Sequence, residues 1–229
     1  MTLSRFTMCL GLIACLTPVA PNSTAQEITM SDIEARHAHI LDRPPRLEPL
    51  DADQFSEEEL QFVRDLWKAM GIEPLPQLPE YFATMLRYPE LVQRQTEMST
   101  TLNQGELPFR VRELIILRVG WLCQAPFEWA QHVKAGKRAG LTSEEIDRVT
   151  RGSADPEWEE ADRAILAAVE EMFADSMISD ATFATLEKHF SMAQLVEIPF
   201  VVGAYQATAY LQNSWRFRLM PGVGGLTDR

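Results

Sequence analysis

Residues 106–147 read ELPFRVRELIILRVGWLCQAPFEWAQHVKAGKRAGLTSEEID, and their spacing decides the fold. Pro108 suits the first turn of a helix that runs to about Cys123. Pro126 plays the same part for a second helix, ending near Gly140. Thr142 followed by Glu145 is a capping box for a third, short helix reaching about Arg151. Three helices joined by connections of a few residues leave no room for a strand between them.

The helical pattern extends outward from this centre. Ser56 and Glu59 form another capping box, and a helix runs from there to about Met70, ahead of Gly71. Prolines at 74, 76 and 79 mark a connection. A helical stretch covers residues 80–103, with a break at Pro89. Asp155-Pro156 opens a helix to about Ala174, with Trp158, Ala161, Ile165, Val169, Met172 and Phe173 at helical spacing. Helical residues continue over 181–189 and 192–216, where Pro199 should kink or restart the chain. Phe200-Val201-Val202 is the best strand candidate, but the helical pattern resumes directly after it. No internal repeat is present. The expectation is one all-α domain of about seven helices over residues 56–216. An extended arm at 26–55 (with Pro44, Pro45 and Pro49) should precede it, and a flexible tail at 217–229 should follow.

The first 25 residues read as an address. Arg5 precedes an apolar run from Phe6 to about Ala20, and Ser23-Thr24-Ala25 supplies small residues before a cut. This is the layout of a secretory signal peptide cleaved after Ala25, which would place the protein in the periplasm or outside the cell. Leu12-Ile13-Ala14-Cys15 also resembles a bacterial lipobox, which would anchor a lipoprotein at Cys15; a membrane role is expected only in that case. A start of translation at Met30 is a third arrangement.

Composition narrows the function. Apolar residues make up 46% and charged residues 24% of the chain, enough apolar content to bury a core. A net charge of −12 repels a phosphate backbone, so a nucleic-acid partner is not expected. The three cysteines, Cys9, Cys15 and Cys123, form no Cys-x-x-Cys pair. A cysteine-based zinc site and a vicinal dithiol are thereby disfavoured.

Three side chains at the centre carry chemistry. Glu113 shares a helical face with Phe109, Ile116, Leu117 and Gly120, an apolar face on which a carboxylate is costly without a partner. It either pairs with an arginine such as Arg110 or Arg118, or belongs to a site. Glu128 and His132 lie four residues apart, on a face shared with Ala125, Ala135, Gly136 and Ala139. Small residues admit another helix, so the pair should point into a helix–helix seam. A histidine oriented by a carboxylate moves protons near neutral pH, although a structural, hydrogen-bonded histidine has the same spacing. Neither a metal nor a cofactor is expected, because His37, His39 and His189 offer no third ligand at supporting spacing. Cys123 is either a thiol activated by a histidine in space or a small apolar filler.

Taken together, Arg112-Glu113 ahead of an apolar helix, Glu128-Trp129-x-x-His132, and Gly-Leu-Thr-x-Glu-Glu-Ile at 140–146 resemble the carboxymuconolactone decarboxylase family, within the alkylhydroperoxidase D-like superfamily. The resemblance implies an all-helical fold and a trimer or hexamer of identical subunits. Hydroperoxide-reducing members carry a Cys-x-x-Cys pair followed by a histidine, with an upstream glutamate in a proton relay. By that comparison Glu113 matches the glutamate and His132 the histidine, while Ala125 and Glu128 stand where the two cysteines would be. Cys123 is no evident substitute for either. A dithiol cycle needs one thiolate to attack and a second thiol to resolve the sulfenic acid. The decarboxylase branch needs proton transfer, not thiols.

The resulting expectation is acid–base chemistry on a small carboxylated, lactone-type molecule. Glu113, Glu128 and His132 would be the catalytic residues. Arg110, Arg112 and Arg118 are the candidates to hold the substrate carboxylate. A peroxidase activity through Cys123 with an external thiol, and a non-enzymic oligomeric binding protein, are the alternatives.

Overall fold

Helix α5 (Phe109–Leu122) is the axis around which the chain packs. Arg112 through Trp121 are buried without interruption, because apolar side chains occupy all its faces rather than one stripe. In the computed structural model, which describes residues 28–69 and 78–229, α5 is surrounded by α6 (Pro126–Arg138), α7 (Ser143–Arg151), α8 (Glu160–Asp175) and α10 (Met192–Trp215). On one side Ile115, Ile116 and Val119 pack with Ile165, Val169, Ile198 and Val201. On the other, Leu114, Leu117 and Trp121 pack with Trp129, Val133, Ile146 and Leu166. A third cluster joins Phe55, Val63 and Trp67 to Leu86, Val92 and Phe217. It is built by α2 (Glu57–Ala69), α3 (Glu80–Met85), α4 (Pro89–Asn103) and the chain after α10.

Local chemistry sets the element ends. Both expected capping boxes are formed: Ser56 with Glu59, and Thr142 with Glu145. Pro89 and Pro126 start α4 and α6 at their first turns. The turn between α5 and α6 is short because Gln124 adopts a left-handed conformation at φ 45°.

The all-α class expected from the sequence is what the structure shows. The described residues hold ten α-helices rather than about seven. The unexpected addition is a helix inside the expected arm. That helix, α1 (Met30–Ile40), is closed by a Thr29–Asp32 capping box and buries Ile33 and Ile40. Residues 26–55 are therefore not simply extended. The helix expected from Pro156 starts at Glu160 instead. Trp158 turns inward ahead of it and donates Nε1–H to the Gly152 carbonyl at 3.1 Å. α9 (Asp180–Leu186) is short, and α10 runs through Pro199 as one helix.

The expected flexible tail is packed. Phe217 and Leu226 are each 1% exposed. Trp129 donates Nε1–H to the Asp228 carbonyl at 3.0 Å, and the Arg229 guanidinium lies over the Trp121 and Trp129 rings. Glycine and proline there shape a tight path: Gly225 at φ +65° passes where any side chain would meet His37, Leu219 and Pro126. The expected signal peptide lies outside the described residues. Among the described residues no helix is long and apolar enough to cross a membrane. Met192, Val196 and Phe200 form an exposed apolar row along α10.

Candidate active site

Glu113 projects from α5 and His132 from α6, and they meet. His132 Nδ1 lies 2.7 Å from Glu113 Oε2. Glu128, one turn before His132, places Oε1 3.5 Å from Nε2. The imidazole therefore sits between two carboxyl groups. Both carboxylate side chains are 3% exposed, while the imidazole keeps 17% of its surface open. The seam expected from the small residues exists: Gly120 of α5 lies against the Trp129 backbone, and Ala125, Ala135 and Gly136 are buried. An ionised Glu113 can only accept, so Nδ1 carries the proton between them and Nε2 is the nitrogen left for chemistry.

α10 and α3 complete the surroundings. The Tyr205 ring meets the imidazole edge-to-face with centroids 5.1 Å apart. Gln212 donates Nε2–H to Glu128 Oε2 at 2.5 Å and is itself buried. Asn213 donates Nδ2–H to the Cys123 carbonyl at 3.1 Å. Tyr81, on α3, donates its hydroxyl to Gln95 Oε1 at 2.9 Å and feels the charge of Glu128. Sequence reasoning missed these residues because they lie far along the chain from residues 106–147. The one signal available was the adjacent polar pair Gln212-Asn213 near the end of α10.

Burial and charge oppose one another here. Burial by itself favours the neutral imidazole, but the Glu113 hydrogen bond and the charges of Glu128 and Glu113 outweigh it. The net effect, against a contrary push from Arg112, raises the His132 pKa. Burial raises Glu128 as well, opposed by His132 and by the Gln212 hydrogen bond and reinforced by Glu113. Tyr205 is pushed up by burial and by both carboxylates. Cys123 lies near enough to feel Glu128, and burial followed by that charge lifts its thiol to about 12, with Arg36 opposing. A thiol so placed holds its proton at neutral pH.

These directions predict a pH dependence of stability. A histidine with a raised folded pKa contributes stability that is present below about pH 6.5 and lost as pH climbs through the folded value. Glu128 has the same sign, since the folded state keeps its proton longer than the unfolded chain does above pH 4.5. The melting temperature should therefore fall as pH is raised above about 6.5, and His132→Asn should flatten that fall in a thermal denaturation series.

The three arginines separate. Arg110 faces away and forms a double contact with Asp162 at 2.8 and 3.0 Å, with Glu145 on its other nitrogen. Arg118 donates to the carbonyls of Val149 and Thr150 and pairs with Glu170 at 2.9 Å. Gly152, at φ +76°, leaves just the space this guanidinium needs. Both are therefore corrected from substrate-binding candidates to structural ion pairs, and neither pairs with Glu113. Arg112 alone stays beside the site: its charge acts on His132 and Tyr205. Its Nη1 donates to the carbonyls of Leu102 and Asn103, and its buried Nε has no partner among the described residues. His37 and His189 are engaged elsewhere, with the Leu226 amide and with Glu160. No cluster that could hold a metal occurs among the described residues.

Solved structures share this architecture. A protein of unknown function from Agrobacterium tumefaciens, a candidate AhpD antioxidant defence protein, is 25% identical. That match covers 58% of this chain and 93% of the other, with a TM-score of 0.55. An uncharacterised peroxidase-related protein from Ralstonia eutropha JMP134 with an alkylhydroperoxidase AhpD core reaches a TM-score of 0.66 at 15% identity, covering 78% of this chain and 94% of its own. The debrominase Bmp8, solved with 2,3,4-tribromopyrrole, reaches 0.61 at 15% identity over 77% and 92% of the two chains. At such identities the last two speak for the fold alone. No curated protein matches the chain. Residues 89–171, the span that holds Glu113, Glu128 and His132, match the Carboxymuconolactone decarboxylase family, and the resemblance read from the sequence is thereby shown over that segment.

Proposed function

We propose that the protein is an acid–base enzyme of the carboxymuconolactone decarboxylase type, acting on a small carboxylated, lactone-type molecule. The observation that carries this reading is the imidazole held between two buried carboxyl groups; the family resemblance adds that Glu128 stands where a thiol peroxidase would need its second cysteine. In the proposed step the carbon–carbon bond to the substrate carboxylate breaks and CO2 leaves. The electron pair passes onto the adjoining carbonyl as an enolate. His132 Nε2–H then gives a proton to the carbon, and the imidazole regains one from water. Glu113 fixes the ring and stabilises its cationic form. Glu128 faces the working nitrogen. Arg112 is the cation placed to receive the substrate carboxylate.

The sequence layout of residues 1–25 supports export to the periplasm or beyond, with lipid attachment at Cys15 as the other form of that proposal. The exposed row Met192, Val196 and Phe200 supports assembly with further copies of the chain.

The test is CO2 release from a panel of carboxylated lactones, run beside consumption of an organic hydroperoxide with excess thiol. The expected result is CO2 release that survives Cys123→Ser, and no peroxide turnover that depends on Cys123. Peroxide turnover lost in both Cys123→Ser and His132→Asn would overturn the acid–base reading and make Cys123 a single-thiol centre.

A further inference from the structure

Gln212 is the sole residue of α10 with a hydrogen bond to the central cluster, and it reaches Glu128 across 84 positions of sequence. Two further observations single it out. It is 4% exposed, so its amide was taken out of water at a cost that only good partners offset. Its Oε1 and the Oε1 of Glu128 are both buried without a donor among the described residues. The contact is thus half used: the amide gives one hydrogen bond and accepts none.

We propose that Gln212 is a positioning residue of this site, whose amide holds Glu128 with Oε1 turned toward His132 Nε2 and serves either protonation state of that carboxyl. Toward the carboxylate it donates from Nε2, as observed. Toward the carboxylic acid the amide, turned over by half a rotation, accepts on Oε1 from the acid O–H. A carboxyl backed by a fixed donor such as lysine could not change state in a buried seam without losing its partner. An amide removes that obstacle, so the cluster can store a second proton beside the imidazole. The charged and titratable groups facing this pair are Arg112 and Glu113 from α5, Cys123 at its end, Tyr81 from α3 and Tyr205 from α10. None of them is hydrogen-bonded to Glu128 in the structure, which leaves Gln212 to set its orientation. The proposal rests on the acid–base reading for its catalytic meaning, but not for its test.

The experiment is a nitrogen-15 NMR titration of the His132 imidazole in the full chain, its signal assigned with His132→Asn. Gln212→Met removes both polar atoms at similar length. Glu128 then loses the hydrogen bond that favours its charged form, stays protonated to higher pH, and no longer supports the imidazolium. The His132 midpoint is expected to fall by about one pH unit. Gln212→Asn, one methylene shorter, pulls the amide away from Glu128 while keeping its polarity, and should lower the midpoint in the same direction. Midpoints unchanged in the folded variants, with or without a loss of melting temperature, would overturn the proposal and reduce Gln212 to packing. Should Gln212→Met fail to fold, the downward shift in Gln212→Asn decides alone. The titration needs no substrate: shifted midpoints in a protein that releases no CO2 would leave this proposal standing and overturn the acid–base reading.

Discussion

Asparagine in place of His132 should lower turnover by about 10²–10⁴-fold, the usual contribution of a positioned proton donor. The substitution separates chemistry from structure. Asparagine can still donate to Glu113 Oε2, so the buried carboxylate keeps a partner and the seam keeps its packing. It cannot take up and release a proton near neutral pH. The loss should appear in kcat with any carboxylated lactone that the unaltered protein turns over. Glu113→Gln should act through the pH profile. Without the carboxylate, the imidazolium loses the stabilisation that offsets its burial, and the limb governed by His132 moves to lower pH. Turnover by His132→Asn within about twofold of the unaltered protein would be incompatible with proton transfer through this imidazole.

Trp129→Ala should be the most damaging single change to stability, at about 3–5 kcal/mol in chemical denaturation. The side chain is fully buried between Trp121, Val133 and Leu226. Its removal opens a cavity and leaves the Asp228 carbonyl without its indole donor. The Arg229 guanidinium, stacked over both indoles, loses one of its two platforms. Trp129→Phe is the informative companion: it keeps most of the packing and loses the hydrogen bond, and should cost about 1 kcal/mol for that bond beyond its smaller packing loss. Equal losses in the two variants would mean that packing contributes little and that the bond to the carboxy-terminal segment dominates.

What was legible in the sequence follows from physical range. The helices of residues 106–151 could be read because their starts are local: Pro108, Pro126 and the Thr142–Glu145 box act within one turn. The meeting of Glu113 with His132 was implied only by the family resemblance, since helical spacing alone left Glu113 open between an arginine partner and a site. Choosing among Arg110, Arg112 and Arg118 was beyond the sequence. All three sit on one helix, and their fates depend on where Asp162, Glu170 and the end of α7 arrive in space. The tail misled for the same reason. Three glycines and a proline look loose in one dimension, but Phe217 and Leu226 find pockets made by helices more than 80 residues away. Gln212 was hidden because nothing in one dimension separates it from the other amides of α10, Gln194, Gln206 and Asn213.

The helix ahead of Asp42 bears on the geometry of the site. Arg36 of α1 donates Nε–H to the Gln124 carbonyl at 3.0 Å and Nη2–H to the Cys123 carbonyl at 3.4 Å. These are the carbonyls of the left-handed turn that sets α5 against α6, a conformation that costs a non-glycine residue about 1–2 kcal/mol. The Thr29 cap that starts α1 is worth about 1 kcal/mol, so Thr29→Ala should loosen the helix that carries Arg36. A helix far outside residues 106–147 is thus felt at the turn that brings Glu113 and His132 together.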